Sequence, residues 1–153
     1  TGVALAHIGH NVTCVDVDEE KIKKMRKGIS PIYEDGLEDL MHKDAERLTY
    51  TTDYKNAYKD AEVIFVGVGT PERSDGSANL DYVYSVCDNI AESLIKDCVV
   101  VVKSTVPIGT NDAVEEYLNL KKIIISYNNN QKIFLINIKN KNEIQRSKEK
   151  TSM

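Results

Sequence analysis

The sequence predicts an α/β fold in which helices cover both faces of a doubly wound parallel sheet. Short apolar runs alternate with helical patterns along the chain, as they do in βαβ units. Two of these runs, residues 61–68 and 98–102, are almost unbroken, which is typical of strands buried on both faces. In a third run, NVTCVDVD at residues 11–18, an apolar strand leads into two carboxylates, Asp16 and Asp18.

Composition narrows the possible classes of protein. The 153 residues suffice for one domain with a sizeable core. A net charge of -4 and a pI near 5.4 argue against a nucleic-acid-binding surface. No apolar run reaches the roughly 18 residues that a membrane helix needs, so we expect no membrane partner. Cys14, Cys87 and Cys98 form neither a disulfide pattern nor a metal-ligand spacing; we expect no metal, and buried reduced thiols in a cytoplasmic protein.

Hydrophobic periodicity and turn residues place the elements of the first part of the chain. We expect a helix end at residues 1–8, a strand at 11–17, a helix from the N-cap Asp18 to Gly28, a loop at 30–36, a short helix from residue 37 to 41, a strand at 47–51 and a short helix capped by Thr52 or Asp53 that ends at Lys59.

The second part continues the alternation. We expect a strand at 61–68, a polar loop with an Asp75-Gly76 turn at 72–79, a helix at 80–95, a strand at 98–102, the segment KSTVPIG at 103–109 and a helix at 110–120.

Composition changes after Leu120. Asn, Lys and Ile fill 20 of the 33 positions from residue 121 to 153, and Gly and Pro are absent. We therefore divide the chain into a partial nucleotide-binding domain at 1–120 and an atypical tail at 121–153. Residues 123–125 and 133–138 have strand character, whereas the polar part from Lys139 is predicted to be disordered.

Ligands of doubly wound sheets bind beyond the carboxyl ends of the strands. The segments DVD, GVGTP and KSTVP all follow predicted strands, so we expect a binding site there. An acid at the end of the second strand of such a domain accepts hydrogen bonds from the adenosine ribose hydroxyls and repels a 2′-phosphate, which favours NAD over NADP. Asp16 suits this role, and Asp18 is better explained as a helix cap.

Five segments in order, NVTCVDVDEEKI, KGISPIYEDGLEDL, LTYTTDY, AEVIFVGVGTPERSDGSANLDYV and VVVKSTVPIGTND, resemble the N-terminal domain of UDP-glucose 6-dehydrogenases, within the UDP-glucose/GDP-mannose dehydrogenases. The resemblance covers residues 1–120. It implies a Rossmann-like domain of a homo-oligomeric, cytoplasmic enzyme that oxidises UDP-glucose to UDP-glucuronate with NAD. The SPIYE segment leans toward UDP-glucose over GDP-mannose or UDP-N-acetylmannosamine.

The same resemblance implies roles for individual residues. Asp16 would bind the ribose, Lys21 would lie near the adenosine end, and Thr105 would position a water or the substrate oxygen. The expected cofactor-binding residues are Asp16, Lys21, Val68, Gly69, Thr70, Pro71, Ser104, Thr105 and Val106. Each has a plainer reading as well: Lys21 could be a solvated helix residue, and threonine is common at turns beside proline.

The chain also departs from this family. The glycine loop GxGxxG lies about 20 residues before the ribose acid, so it and the first strand would precede Thr1, and we expect a truncated sheet. Without this central strand, the next two strands would be separated from the others, and the tail segment KIFLINI at residues 132–138 is our candidate to fill the gap. None of the three cysteines has the glycine-rich setting of the family's nucleophile. We therefore expect this chain by itself to be inactive.

Two other functions stay open from the sequence. One is a different NAD-dependent dehydrogenase, acting on another nucleotide sugar or on a hydroxyacid. The other is a non-catalytic nucleotide-binding module. The SPIYE and KSTVP segments speak against a hydroxyacid dehydrogenase.

Overall fold

The computed structural model of the chain describes residues 1–125 and 133–137. The chain forms two compact units, Thr1–Ala57 and Tyr58–Met153. Each unit has its own parallel sheet and its own buried core.

The first unit is built on a two-stranded parallel sheet. Its elements are α1 (Gly2–His7), β1 (Val12–Val15), α2 (Glu19–Arg26), α3 (Leu37–Lys43), a 3₁₀ turn (Ala45–Arg47), β2 (Leu48–Thr51) and α4 (Tyr54–Tyr58), whose last residue falls in the second unit. β1 and β2 pair in parallel from Val12 with Leu48 to Val15 with Thr51. The buried core of this unit is formed by side chains of α1, α2, α3 and β2. They are Val3, Ala6, Ile22, Met41, Leu48 and Tyr50.

Two glycines end the helices that flank β1. Gly9 follows α1 with φ of 108°, and Gly28 follows α2 with φ of 76°, a backbone region that glycine adopts without steric cost. In both cases the glycine N–H bonds three residues back, and the next N–H bonds five residues back (Gly9 and His10 in one case, Gly28 and Ile29 in the other). This is the Schellman arrangement, and it turns the chain sharply out of each helix.

The second unit contains a three-stranded parallel sheet in the order β3-β4-β5. Its elements are β3 (Val63–Val66), α5 (Asp81–Ser93), β4 (Cys98–Val102), α6 (Thr110–Ile125) and β5 (Ile133–Asn137). One face of β3 and β4 packs against α5 and α6. The buried residues of that core are Ile64, Val66, Val83, Cys87, Ile90, Leu94, Cys98, Val100, Val102, Val114 and Leu118.

A polar and aromatic network joins α5 to α6. Asp88 of α5 accepts hydrogen bonds from the Tyr117 hydroxyl at 2.8 Å and from Lys121 Nζ at 2.9 Å. The Tyr84 and Tyr117 rings meet edge to face with centroids 4.9 Å apart. Lys121 Nζ also lies 5.3 Å from the centre of the Tyr117 ring, within the range of a cation–π contact.

The alternation predicted from the sequence is confirmed, and the strand at residues 98–102 has the predicted bounds. The strand predicted at 61–68 is shorter, spanning Val63–Val66. The strand predicted at 123–125 is wrong, because α6 continues through Ile125. Once a helix is nucleated, each added residue gains a backbone hydrogen bond, and this outweighs the β-propensity of a short isoleucine run.

The predicted division of the sheet is confirmed, but the predicted role of the tail strand is wrong. The described strands form two separate sheets. Residues 133–137 do form a strand, but it pairs with β4, on the side away from β3, and therefore does not fill a gap beside β1 or β3. A parallel strand that follows a helix such as α6 packs most readily beside the strand that preceded that helix.

The predicted disorder from Lys139 onward lies outside the described residues. Within the part of the chain that the structure describes, no helix is both long and apolar enough to cross a membrane.

Candidate cofactor-binding site

Asp16 lies directly beyond the carboxyl end of β1, and both of its carboxylate oxygens accept hydrogen bonds. Its backbone N–H extends the ladder to Thr51 with an N to O distance of 3.3 Å. Oδ1 accepts from the Asp18 N–H at 3.0 Å, and Oδ2 accepts from Lys21 Nζ at 2.6 Å. The carboxylate is thus oriented by the first residues of the following helix.

The sequence prediction that Asp18 caps this helix is confirmed. Asp18 is the N-cap of α2, and its Oδ1 accepts from the Lys21 N–H at 3.0 Å. Lys21 is therefore held twice, by its backbone at Asp18 and by its ammonium at Asp16. Its side chain is 39% exposed and that of Asp16 is 30% exposed, so the pair is accessible to a ligand.

The ion pair between Asp16 and Lys21 shifts the pKa of both side chains. Desolvation is the largest influence on Asp16 and acts to raise its pKa, but the hydrogen bonds from Lys21 and from the backbone outweigh it and the pKa lies below its usual value. The hydrogen bond to Asp16 in turn raises the pKa of Lys21. Asp16 is consequently an anion over the whole physiological pH range.

The carboxylate of Asp16 can accept further hydrogen bonds. An ionised carboxylate offers about four lone-pair positions, and Asp18 and Lys21 occupy two of them. The Val17 N–H also interacts with this carboxylate, which leaves room for at least one ribose hydroxyl. The side chain that follows, Val17, is 95% exposed, so nothing on that residue closes the approach to the carboxylate.

In the second unit, the segments after β3 and β4 are fastened to each other. Ser104, which is 5% exposed, has its Oγ 2.7 Å from the Val68 carbonyl and 3.3 Å from the Val66 carbonyl. The Thr70 hydroxyl donates to the Thr105 carbonyl at 2.7 Å. Two hydroxyls thus connect these two strand-end segments side by side, at the edge where ligands of parallel sheets bind.

The other predicted residues of these segments lie on the same two loops. Gly69, Pro71 and Thr105 are exposed, and Val68 and Val106 are half-buried against the core of this unit. A Cβ on Gly69 would have no neighbour within 4 Å, so the surface above this glycine is open. Ser104 differs from the others, because its hydroxyl is buried and engaged with the neighbouring loop.

A structured loop between Pro71 and Asn79 follows, which the sequence indicated only as a turn. The Arg73 N–H donates to the Ser77 carbonyl at 2.7 Å, and the Asp75 carboxylate accepts from both the N–H and the hydroxyl of Ser77. The Arg73 guanidinium forms an ion pair with Asp81 at 2.9 Å. No sequence signal pairs Arg73 with Asp81, because neither residue type is restricted to such a contact.

None of the three cysteines has the properties of a nucleophile. Desolvation is the main cause that raises the pKa of Cys87 to about 12 and that of Cys98 to about 11, and it also raises the pKa of Cys14. A reactive cysteine needs a depressed pKa and access to solvent. The predicted burial of these thiols is confirmed for Cys87 and Cys98, whereas Cys14 is only half-buried.

The family model for the NAD binding domain of the UDP-glucose/GDP-mannose dehydrogenase family matches residues 1–143. The chain belongs to this family. Membership confirms the resemblance of residues 1–120 and the Rossmann-like fold class, and it identifies NAD as the cofactor of the domain.

Similar proteins agree with membership of the UDP-glucose/GDP-mannose dehydrogenase family. A UDP-glucose 6-dehydrogenase of Bacillus subtilis is 53% identical over 116 residues, covering 74% of this chain and 26% of the relative. A crystal structure of a ternary complex of GDP-mannose dehydrogenase from Pseudomonas aeruginosa superposes with a TM-score of 0.77 at 34% identity, and a UDP-glucose dehydrogenase from Pyrobaculum islandicum with 0.77 at 29%. Each of the two structural superpositions covers 89% of this chain and 32% of the solved one. The chain spans about a quarter of the length of the curated relatives it matches.

The residues at the strand ends have side chains whose chemistry is compatible with NAD. The structure brings Asp16 together with Lys21 in the first unit, and Thr70, Ser104 and Thr105 together in the second. A ribose diol requires a hydrogen-bond acceptor, and the carboxylate of Asp16 is a group of that kind. The internal contacts of the Ser104 hydroxyl could not be predicted from the sequence, because its partner carbonyls lie 36 and 38 positions earlier in the chain.

Proposed function

We propose that this chain is the NAD-binding portion of a nucleotide-sugar dehydrogenase, in which Asp16 holds the adenosine ribose. The observation that carries the proposal is the strand-end carboxylate, which is oriented by Asp18 and Lys21 and can still accept a hydrogen bond. Such a carboxylate selects a diol and disfavours a 2′-phosphate. NAD, when bound, supplies the hydride acceptor for oxidation of an alcohol.

Within the second unit, the loops after β3 and β4 carry the other residues proposed to bind the cofactor. Val68, Gly69, Thr70 and Pro71 would contact the cofactor from one loop, and Ser104, Thr105 and Val106 would flank the nicotinamide from the other. We assign Thr105 to positioning a water or the substrate oxygen, since it is exposed at the end of β4 and its carbonyl is fixed by Thr70. Ser104 acts by holding the two loops in register.

UDP-glucose is the proposed substrate of the whole protein. The supporting observation is the set of UDP-glucose 6-dehydrogenases that are 40–53% identical to this chain over most of its length. Oxidation of the primary alcohol to the carboxylate would yield UDP-glucuronate. A homo-oligomeric assembly in the cytoplasm belongs to the same proposal, and the three unpaired cysteines are compatible with a reducing compartment.

A graft tests the role of Asp16. Residues of this chain replace the matching 116-residue segment of the Bacillus subtilis relative, and NAD binding is measured by calorimetry. We expect Asp16→Asn to weaken NAD binding about tenfold or more, because a hydrogen bond to a charged group contributes about 1.5–3 kcal/mol. Asp18→Asn is the matched control, since asparagine caps a helix as well as aspartate does.

Three results would contradict the proposal. Equal NAD affinity in the Asp16→Asn and parent grafts would remove Asp16 from the site. An equal loss of NAD binding in the Asp18→Asn control would show that the effect is not specific to the Asp16 carboxylate. A graft that forms NADH with GDP-mannose but not with UDP-glucose would assign a different nucleotide sugar.

A further inference from the structure

The Asp16–Lys21 ion pair has a consequence for cofactor choice that neither residue has by itself. Lys21 Nζ lies 2.6 Å from Asp16 Oδ2, so it stands beside the carboxylate to which the proposed function assigns the ribose. Within the described part of the chain, the ammonium of Lys21 forms its ion pair with Asp16. The site therefore contains both the group that rejects a 2′-phosphate and a cation that could bind one.

We propose that Lys21 is a specificity-determining residue, a latent 2′-phosphate site that Asp16 keeps closed by pairing with it. This inference rests on the proposed function, in which Asp16 binds the adenosine ribose. In the parent chain the ammonium is occupied and the carboxylate repels a phosphate, so NAD is selected. If the carboxylate is removed, the ammonium becomes available at the same place.

The position of Lys21 makes it better suited to bind a 2′-phosphate than a lysine elsewhere on the surface would be. Its backbone N–H is fixed to the Asp18 carboxylate at 3.0 Å, in the first turn of α2. The positive end of the helix dipole lies at the same turn and also attracts an anion. A cation held near the strand end is what accommodates the 2′-phosphate in domains that use NADP.

Nearby acids limit the size of the effect. Asp18 and Glu19 stand in the same turn as Lys21 and repel a phosphate, whereas Glu20 is paired with Lys23 at 2.7 Å. Removing Asp16 therefore weakens the preference for NAD without creating an optimal NADP site. We expect the ratio of the two affinities to shift by about a hundredfold, combining about tenfold lost with NAD and about tenfold gained with NADP.

Four variants separate the contributions: Asp16→Ser, Lys21→Met, the double variant Asp16→Ser/Lys21→Met, and Asp16→Ser/Lys23→Met. Lys23 is a matched control because it lies on the same helix and is also paired with an acid, but its partner is Glu20 and not Asp16. Binding is measured by calorimetry with adenosine 5′-monophosphate and adenosine 2′,5′-bisphosphate, which differ only in the 2′-phosphate. The measurements use the 153-residue chain and, in parallel, the graft in the Bacillus subtilis relative.

We expect Asp16→Ser to shift the ratio of the two affinities by about a hundredfold toward the bisphosphate. Lys21→Met in that background should lose about tenfold of the bisphosphate affinity, and Lys23→Met should leave it unchanged. A carboxyl titration by NMR gives an independent readout: Lys21→Met should raise the pKa of Asp16 toward its ordinary value. Equal bisphosphate binding by Asp16→Ser with and without Lys21 overturns the inference. If instead Asp16→Ser leaves monophosphate binding unchanged, the proposed role of Asp16 fails, and the inference fails with it.

Discussion

At the scale of single residues, two buried serines show how differently one side chain can contribute. Ser104 is 5% exposed, and its hydroxyl contacts carbonyls of the neighbouring loop. Ser93 is 9% exposed, and its Oγ has no hydrogen-bond partner within the described residues. The Ser104 hydroxyl joins two segments of the candidate site. The Ser93 hydroxyl is desolvated without forming a hydrogen bond, which destabilises the folded state.

We expect Ser104→Ala to lower the free energy of unfolding by about 1–2 kcal/mol, because the Val68 carbonyl loses its buried donor. Ser93→Ala is the matched control and should leave stability unchanged or slightly raised. Urea unfolding followed by circular dichroism measures both. Equal losses in the two variants would show that the contacts of Ser104 do not stabilise the loops.

The sequence predicted the chemical type of the site residues better than their contacts. Asp16 could be selected because a carboxylate at a strand end has a specific use, and Asp18 because a helix begins immediately after it. The contacts of Ser104 and Thr70 with the opposite loop could not be predicted, since their partners lie more than 30 residues away in the sequence. Spacing reports neighbours within an element, whereas such contacts depend on how two strands are placed.

At the scale of elements, the exit from α2 fixes where the following loop begins. Gly28 has φ of 76°, and a Cβ there would overlap the ring of His42. Gly9, at the end of α1, has a similar backbone but open space around it. Both helix ends could be predicted from the sequence because glycine is the preferred residue after a helix. The position of the His42 ring could not, because it belongs to α3.

We expect Gly28→Ala to destabilise the protein by about 1–2 kcal/mol through the left-handed backbone, with any further loss coming from displacement of His42. Gly28→Asn should cost less, since asparagine tolerates this region. Gly67→Ala is the control, because Gly67 has neither a positive φ nor a close neighbour. Thermal unfolding gives the comparison; a Gly28→Ala variant as stable as Gly67→Ala would contradict the assigned strain.

Apart from residues 123–125, which are helical, the strand patterns predicted where strands form but not which strand each one pairs with. The run at residues 133–138 was expected between other strands, yet it lies beside β4. Apolar alternation is the same for either position, so only the path of the chain through α6 decides between them.

At the scale of the whole molecule, stability should depend on pH at both extremes. The pKa values of Asp16, Glu20, Asp53, Asp75 and Asp88 lie below the ordinary values. For Asp16 and Asp88 desolvation is the largest influence and opposes this shift, but hydrogen bonds outweigh it; for the other three, hydrogen bonds are the largest influence. A lowered pKa in the folded state stabilises the protein above the unfolded value of about 4 and is lost as pH falls through the folded value.

The buried thiols act at the opposite end of the pH range. The pKa values of Cys87 and Cys98 are raised to about 12 and about 11, above the ordinary thiol value of about 8.5. Their contribution is complete below that ordinary value and is lost as pH rises through the folded values. The free energy of unfolding should therefore be nearly constant from about pH 5 to 8 and fall below about pH 4 and above about pH 9.

Urea midpoints measured across this pH range in the presence of a reductant check the expectation. Asp88→Asn should flatten part of the acid limb, because Asp88 accepts from Tyr117 and Lys121 in the folded chain. Glu115→Gln, an exposed change on the same helix as Tyr117, is the control and should leave the acid limb unchanged. A midpoint that is flat down to pH 3 would contradict the role assigned to these carboxylates.

The registers of the three strand pairs have a consequence for how the chain folds. Val12 pairs with Leu48, Val63 with Val99 and Cys98 with Ile133, so every pairing closes a segment of about 35 residues. The entropy lost on closing a loop depends on the logarithm of its length, and these three closures therefore cost nearly the same. Chain entropy gives no pairing an advantage, so the order in which the strands assemble is determined by the apolar side chains that each one brings together.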